Sequence, residues 1–505
     1  MARVVVRSET DATGLAEIMR PRTDVVLERH CGDGRFEAES GPVLSYGRTV
    51  DVVHGAVPDQ PVLVTQTVDF RLAVPYFGFL FVPLFKRALA RPGTARAPWW
   101  APPARLDARG ASVLGTLALL TVASGYLNAL FTQTVPFAGD EFGVSNSALG
   151  VAGSVVRVGG LVALVVMIQA DRRGRKFVLM WASTAGIILA VTGALAPSLP
   201  WLTGSQMFAR AFATAILLLV TIVAAEEMPA GSRAYAVSLL AMSSGLGAGV
   251  CVLSLRLADL GTRGWRLLYL VPLLGLPIVA AVRRRLPESR RFIAPHVSGA
   301  MAGHGGRLLL LAASGVLVNL FVAPSSQFGN QFLRDERGFS GGRIGLLSVT
   351  IGTPAVIGII AGGRIADVRG RRVVAAVALV VGTLCTVGYF WSEGWPMWVI
   401  AAVGTVVSAA AIPALGVYGP ELFPTGLRGR ANGLVAVSSL VGSAAGLILA
   451  GVLSDNFGRI APAMSILAVG PLLLAVLVVA AYPETAGKEL EDLNPEDRPT
   501  SGPSP

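Results

Sequence analysis

The sequence predicts an all-α membrane protein with twelve transmembrane helices in two six-helix pseudo-repeats, preceded by a small cytoplasmic α+β domain. Of its 505 residues, 53% are hydrophobic and only 14% are charged, whereas a soluble domain carries about 25% charged residues. From Ala111 to Tyr482, apolar runs follow one another, each near the length of about 20 residues that crosses a bilayer. Short charged motifs also recur at one fixed sequence offset.

Residues 1–105 are predicted to form the N-terminal domain and its linker. The segments DGRFEAESG, YGRTVDVVHG and PVLVTQTVDFRLAV have the alternation of strands, and DATGLAEIMR has the pattern of a short helix. The following segment, PYFGFLFVPLFKRALARPG, is too short and too interrupted by proline to span a bilayer. We expect a helix that packs on the sheet of its own domain, and the alternative is a helix that lies on the membrane surface.

The apolar runs divide the rest of the chain into two halves. We expect a first half at 111–284, a central cytoplasmic loop at 285–307, a second half at 308–482 and a cytoplasmic tail at 483–505. The predicted spans are 111–135, 147–170, 177–197, 201–225, 234–258, 265–284, 308–331, 344–366, 373–392, 396–419, 431–453 and 460–482.

The charge of the loops predicts the orientation in the membrane. The loops on the side of 171–176 carry sixteen Lys and Arg, and the loops on the side of 139–146 carry five. Because positively charged loops stay in the cytoplasm, both termini are predicted to be cytoplasmic. The plasma (inner) membrane is the expected location.

Four pairs of motifs recur at an offset of 195 or 196 residues. DRRGRK at 171–176 matches DVRGRR at 367–372, and EEMPAGSR at 226–233 matches ELFPTGLR at 421–428. Pro-Glu at 287–288 recurs at 483–484, and Asp259 with Arg263 recurs as Asp455 with Arg459. This repeat predicts two parallel halves that are related by an axis along the membrane normal, with a ligand site between them.

At these motifs the chain resembles the major facilitator superfamily. The family's loop between the second and third helices of each half is matched by GRIADVRGRR and by MIQADRRGRK, with Met167 where the family has glycine. LPESRRFI, PELFPTGLRGRANGL and YPETAGKELEDL resemble the sugar porter and metabolite–proton symporter branches. The resemblance implies a secondary active transporter that works by alternating access and couples to protons.

The resemblance also implies a charged cytoplasmic gate that closes when the site faces outward. Arginines can fork onto carboxylates of neighbouring loops, and carboxylates are favoured near helix N-termini. The alternative is that these charges only fix the topology. The expected gate residues are Asp171, Arg175, Glu226, Arg233, Asp367, Arg371, Glu421 and Arg428.

Two arginines inside predicted spans are the leading site candidates. Arg157 and Arg210 lie in mid-span, where an uncompensated charge is costly and therefore functional by default. In the family, the arginine at the position of Arg210 is tied to proton coupling. No Asp or Glu lies deep in the first, second or fourth predicted span, and Asn128 stands where a carboxylate would suit a symporter. Two cations without an acid indicate an anionic substrate.

Polar residues of the seventh span complete the predicted site. Gln327, Asn330 and Gln331 are expected to contact substrate or coupling ions, and helix–helix hydrogen bonding is the alternative. The Gln-Gln…Asn pattern that binds sugar hydroxyls in sugar porters does not occur here, which argues against a hexose.

Other classes of function lack sequence support. The net charge of +11 comes from short basic clusters between apolar runs, so we expect no nucleic-acid partner. No GxxxxGK[ST] motif occurs, and the four histidines and three cysteines have neither catalytic nor metal spacing, so we expect no enzyme, cofactor or metal. The expected partners are the lipid bilayer, a small-molecule substrate and protons, and the expected state is a monomer. The alternatives are a drug or metabolite efflux pump and a membrane sensor that signals through the N-terminal domain.

Overall fold

The computed structural model describes residues 1–53, 62–91, 98, 100–102, 104–229, 232–288, 305–416, 418, 422–423 and 428–484. Within these ranges, the side chains of residues 164, 168, 171–172, 225–226, 233–234, 360, 363–364, 367–368 and 428–432 lie outside the description. The remaining side chains are the basis of every contact given below.

The N-terminal domain is a five-stranded antiparallel sheet flanked by two helices. In chain order its elements are β1 (Ala2–Thr10), α1 (Ala12–Ile18), β2 (Leu27–His30), β3 (Arg35–Ser40), β4 (Val43–Val53), β5 (Val62–Leu72) and α2 (Gly78–Leu89). The strand order is β1-β5-β4-β3-β2. The α+β prediction is confirmed, together with the three predicted strands and the short helix. The strands β1 and β2 were not predicted.

A buried charge network joins the sheet to the segment between α1 and β2. Arg48 on β4 donates from Nε and Nη2 to the two carboxylate oxygens of Glu28, at 2.9 and 2.6 Å. The Arg22 backbone amide donates to Glu28 Oε2 at 2.8 Å, and Tyr46 donates its hydroxyl to Oε1. Burial, together with the charge of Glu28, raises the pKa of Tyr46. Each of the two Glu28 carboxylate oxygens therefore accepts two hydrogen bonds.

Helix α2 packs on the sheet of its own domain, as expected. Phe85 and Leu89 are buried against Phe70 and Leu72 of β5. The buried Arg22 donates to the carbonyl oxygens of Ala88, Leu89 and Arg91, at 2.9, 3.2 and 2.8 Å, where the helix ends. The cation at this end also complements the helix dipole. The first turns of the same helix leave Phe79 71% and Leu80 51% exposed.

The described chain contains twelve helical segments that are long and apolar enough to cross a membrane, which confirms the predicted spans. The first half contains α3 (Ala108–Phe142), α4 (Asn146–Arg173), α5 (Arg175–Thr192), α6 (Leu199–Glu227), α7 (Arg233–Leu253) and α8 (Gly275–Arg285). Three 3₁₀ segments, Ser254–Leu260, Gly264–Tyr269 and Val271–Leu274, lie between α7 and α8.

The second half repeats this order with more interruptions. Its helices are α9 (Gly305–Gln331), α10 (Gly341–Gly352), α11 (Ala355–Arg369), α12 (Arg371–Trp391), α13 (Gly394–Ala409), α14 (Ala411–Gly416), α15 (Arg428–Phe457), α16 (Ile460–Leu467) and α17 (Val469–Ala481). The eighth span is broken between α10 and α11 at Thr353-Pro354, because proline lacks the amide that continues a helix. The equivalent span of the first half, α4, is continuous.

The N-terminal domain rests on α3 and α7 of the first half. The Tyr235 hydroxyl donates to the Trp100 carbonyl at 3.1 Å, and the Ser232 hydroxyl accepts from the Ala104 amide at 2.8 Å. Gly115 on α3 lies directly against Pro75, where a side chain would collide with the proline ring. The domain thus lies at the end of the helices that the loop charges predict to be cytoplasmic.

Replacing Glu28 by alanine should destabilise the N-terminal domain by about 3–5 kcal/mol, because the Arg48 guanidinium would remain buried without its partner. Hydrogen exchange of the β4 amides in the full-length chain measures this free energy. Asp69→Ala is the matched control, because its ion pair with Arg3 is exposed and exposed ion pairs contribute little to stability. Equal effects of the two substitutions would contradict a structural role for the buried network.

Candidate functional site

Two aspartates cap helices of the opposite half at the face that is predicted to be external. Asp455, near the end of α15, accepts from the amides of Asn146 and Ser147 at the start of α4, at 3.0 and 2.8 Å. Asp259 accepts from the amides of Gly341 and Gly342 at the start of α10, at 2.7 and 2.8 Å. Each carboxylate satisfies helix amides that have no intrahelical acceptor. The two contacts are repeat equivalents and join the halves reciprocally.

Glycines bring the same helices into close contact below the caps. A side chain at Gly150 on α4 would overlap the carbonyl oxygen of Leu447 on α15. A side chain at Gly345 on α10 would overlap the carbonyl oxygen of Val252 on α7. These contacts are also equivalent in the repeat, since both partners are displaced by 195 residues. Small residues thus permit the backbones to approach across the interface between the halves.

The amides of α9 add a third set of contacts between the halves. Gln327 donates to the Leu149 carbonyl at 2.9 Å, and Gln331 donates to the side chain of Asn146. Asn330 donates to Gln133 Oε1 on α3 at 2.6 Å. Gln327 and Gln331 are buried in this layer, so the structure places them in helix–helix bonding, the alternative considered above. A substrate role for these two residues stays a prediction.

The carboxylates nearest to the predicted site are already paired. Asp140 forms an ion pair with Arg334 on the opposite half. Glu141 accepts from Arg266 Nη2 at 2.9 Å and from Trp265 Nε1 at 2.7 Å. Neither carboxylate projects into the middle of the span.

Arg157 and Arg210 lie in the interior of the first half. Both are half-buried, and their guanidinium groups are close enough for the positive charges to repel one another. Arg210 donates from Nη1 to the Asn128 carbonyl at 2.9 Å. Within the described part of the chain, Arg157 has no hydrogen-bond or ion-pair partner. Asn128 bonds to Ser124 and Thr214, so three of the predicted site residues belong to one region.

The repeat equivalent of Arg157 is Thr353, at the break between α10 and α11. Arg157 in the first half therefore corresponds, in the repeat, to a helix interruption in the second half. Thr353 is exposed, and its hydroxyl bonds to the Val349 carbonyl of its own helix.

A cavity of about 750 Å³ lies mainly within the second half, between α9, α10, α12 and α13. It reaches the first half at Gln133, next to Asn330. Its described polar lining consists of amides and hydroxyls only: Gln133, Asn319, Ser325, Ser326, Asn330, Ser348, Thr383, Thr386, Tyr389, Thr405 and Ser408. Such a lining can hydrogen-bond neutral polar groups in an otherwise apolar space. The sequence motifs did not indicate the threonines and serines of α12 and α13.

Glutamates cap the third helix of each half at the face that is predicted to be cytoplasmic. Glu288 accepts from the amides of Arg175 and Lys176, at 2.9 and 3.1 Å. Glu484 accepts in the same way from Arg371 and Arg372, at 3.0 and 3.3 Å. These glutamates belong to the Pro-Glu pairs of the sequence repeat. The matched residues, although only two in each copy, thus have one structural role.

A family model for the Major Facilitator Superfamily matches residues 117–299 and 308–502. The chain belongs to the major facilitator superfamily. It is therefore a membrane transporter and not an enzyme. Both the twelve-span fold and the resemblance given above are thereby confirmed.

Curated relatives of this transporter include proteins with different printed activities. A chloramphenicol resistance protein of Streptomyces lividans is 28% identical over 392 residues, which cover 73% of this chain and 94% of that protein. A probable anion transporter 4 of Arabidopsis thaliana chloroplasts is 26% identical over 193 residues, or 36% of this chain and 35% of that protein.

Solved structures show the same fold at low sequence identity. The inward-open xylose transporter XylE of E. coli has a TM-score of 0.64 at 17% identity, covering 76% of this chain and 99% of that one. An inward-facing, unoccupied bacterial homologue of the human lysosomal transporter Spinster has a TM-score of 0.64 at 15% identity, covering 78% and 99%.

The predicted gate of this transporter is described only in part. The side chains of Asp171, Glu226, Arg233, Asp367 and Arg428, and all of Glu421, lie outside the described residues. Arg175 is buried at the start of α5, and Arg371 is half-buried at the start of α12. Their backbone amides bind Glu288 and Glu484, two residues that the gate prediction did not include. The gating role of all eight residues stays a prediction.

Replacing Asp259 and Asp455 together by alanine should open the predicted external face. Losing a helix cap costs about 1 kcal/mol, so two caps should shift the conformational equilibrium by roughly thirtyfold. Labelling of Ser348→Cys by a membrane-impermeant maleimide measures the shift, in a chain from which Cys31, Cys251 and Cys385 are removed. Glu393→Ala is the control, because its ion pair with Arg337 lies within the second half. Unchanged labelling in the double variant would rule out a closing role.

Proposed function

We propose that this transporter moves a small organic anion across the plasma (inner) membrane by alternating access, driven by a proton gradient. Both termini lie in the cytoplasm in this proposal, as the loop charges indicate, and the chain acts as a monomer. The observation that carries the proposal is the pair Arg157 and Arg210, two half-buried cations that repel one another within the membrane span.

The energetics of this arginine pair favour an anionic substrate. An arginine at the centre of a transmembrane helix costs about 2.5–3.5 kcal/mol on insertion scales, and repulsion between two arginines adds to that cost. No acidic residue occurs in any of the predicted spans to offset the two charges. A bound carboxylate or phosphate would neutralise the pair and accept hydrogen bonds from both guanidinium groups. The relative described as a probable anion transporter supports the same substrate class.

The cavity of the second half supports a substrate with a polar, uncharged portion. The polar side chains in its described lining carry hydroxyl and amide groups. We therefore propose that the anionic group binds to the first half and that the remainder of the molecule occupies the second. Such a division explains why the two halves share their caps and differ in their interior residues.

The contacts between the halves support alternating access. The caps of Asp259 and Asp455 and the amide layer of α9 all lie towards the predicted external face. This arrangement fits a state closed to the outside, and two of the similar structures are inward-facing. Opening would require both helix caps to break, while the caps of Glu288 and Glu484 remain within their own halves.

Export of a drug or metabolite is the second candidate function. The relative that covers most of this chain is a chloramphenicol resistance protein, and the larger cavity is predominantly apolar in its lining. A sensor that signals through the N-terminal domain is the third. A chain that lacks residues 1–105 and still transports would argue against the sensor.

Replacing Arg157 or Arg210 by glutamine should reduce anion uptake into proteoliposomes at least tenfold, because each loses a charged hydrogen bond to the substrate. Arg283→Gln removes the same charge from an exposed position at the end of α8 and should leave uptake within twofold. Radiolabelled organic acids identified by a thermal-shift screen provide the substrates. Wild-type uptake by both interior variants would refute the anion site.

Uptake of the same anion should rise severalfold when a pH gradient, acidic outside, is imposed on the proteoliposomes, and a protonophore should abolish the increase. Inside-out vesicles with the opposite gradient distinguish import from export. Uptake that does not change with the pH gradient but requires a counter-anion inside the vesicle would contradict proton coupling and would indicate anion exchange.

A further inference from the structure

A second cavity, of about 370 Å³, lies between the N-terminal domain and the first half. Its walls come from α2 and the segment before it, from the linker at Trp100, and from α3 and α7. Phe81, Phe85 and Trp100 line one side, and Leu114 and Leu239 line the other. A concave apolar space of this size is within the range of small-molecule sites, and it is separate from the residues assigned to transport.

The cavity opens onto the lipid-facing surface of α7. Met242 and Leu246 form part of its lining and are 67% and 58% exposed, so in a bilayer they would contact acyl chains. Leu80 on α2 lines the same cavity and is 51% exposed. A hydrocarbon chain can therefore enter from the bilayer without crossing water.

One cation stands at the polar end of this cavity. Arg105 lies two residues before the cap of α3, Asp107, which binds the Gly110 amide at 2.7 Å. It thus lies where the first span begins, at the depth of the lipid head groups. Its Nη2 donates to the Thr23 carbonyl, but its buried Nε has no hydrogen-bond partner within the described residues. A buried donor without an acceptor costs stability unless a ligand supplies one.

Two other polar side chains in the lining are already paired. The carboxylate of Asp24 accepts from Arg22 Nη2 at 2.8 Å, and the Tyr235 hydroxyl donates to Trp100. Among the described lining residues, the buried side-chain polar atom without a hydrogen-bond partner thus belongs to a cation, while the remaining surface is largely aromatic and aliphatic. This combination matches an amphiphile with one acyl chain and a negative head group.

We infer that this cavity binds an acyl chain that carries an anionic head group, with the chain between α2 and α7 and the head group on Arg105. Either a free fatty acid or an anionic phospholipid of the inner leaflet has this chemistry. The occupant would tie the N-terminal domain to α7, the helix that leads to the capping residue Asp259. Binding would therefore stabilise one arrangement of the first half.

Native mass spectrometry of the full-length chain in a neutral detergent, titrated with palmitate, tests this inference. We expect one saturable palmitate adduct per chain. Leu246→Trp should weaken binding at least tenfold by filling the entrance, whereas Leu253→Trp should not, because Leu253 is equally exposed on α7 but lies outside the cavity lining. Thermal unfolding of each variant verifies that the fold is retained.

The head group is tested with a second pair of variants. Arg105→Gln should weaken palmitate binding about tenfold and leave hexadecanol binding unchanged, while Arg87→Gln, an exposed residue of α2 outside the lining, should alter neither. Displacement of palmitate by phosphatidylglycerol would identify a phospholipid as the natural occupant. Palmitate binding that persists in the presence of phosphatidylglycerol would identify a free fatty acid. Equal binding by Leu246→Trp and Leu253→Trp, or equal affinity of the wild-type chain for palmitate and hexadecanol, would overturn the inference.

Discussion

The first amides of a helix have no intrahelical acceptor, and the organisation of this transporter depends on how carboxylates satisfy them. Asp259 and Asp455 cap helices across the two halves, whereas Glu288 and Glu484 cap helices within one half. The distinction separates bonds that a rigid-body movement must break from bonds that it preserves. Four carboxylates of one chemical type therefore contribute both to the cohesion of each half and to the contact between the halves.

The helix caps are equivalent in the two halves, whereas the interior residues and helix breaks of the halves differ. The first half retains a continuous α4 with Arg157 in its middle, whereas the second half has the Thr353-Pro354 break at the equivalent place. Interruptions in the second half leave room for a large cavity lined by hydroxyls. The two halves thus preserve the geometry of their ends, where they meet, and differ in the centre, where we propose that the substrate binds.

The membrane spans and the internal repeat could be predicted from the sequence, because they depend on runs of apolar residues and on repeated motifs. The spans follow from apolar length, and the repeat follows from motifs such as Pro-Glu at 287–288. The partners of those motifs were not predictable, because Glu288 reaches Arg175 only through folding of the whole half. For Gln327 the sequence predicted a substrate-binding residue, because it is polar and lies within a span. A buried amide can equally well form a hydrogen bond between helices, as Gln327 does here. Strand β2 has only four residues and a bulge at Leu27/Glu28, too little for an alternation pattern to register.

The docking of the N-terminal sheet on α3 and α7 has a mechanical consequence. The contacts described at Trp100, Ser232 and Tyr235 join the linker that follows α2 to the start of α7. The N-terminal domain should therefore move together with the first half. If the first half rotates during transport, the docked domain would change its angle to the bilayer by the same amount. A fluorophore on the sheet would then report each reorientation of the protein as a change in orientation.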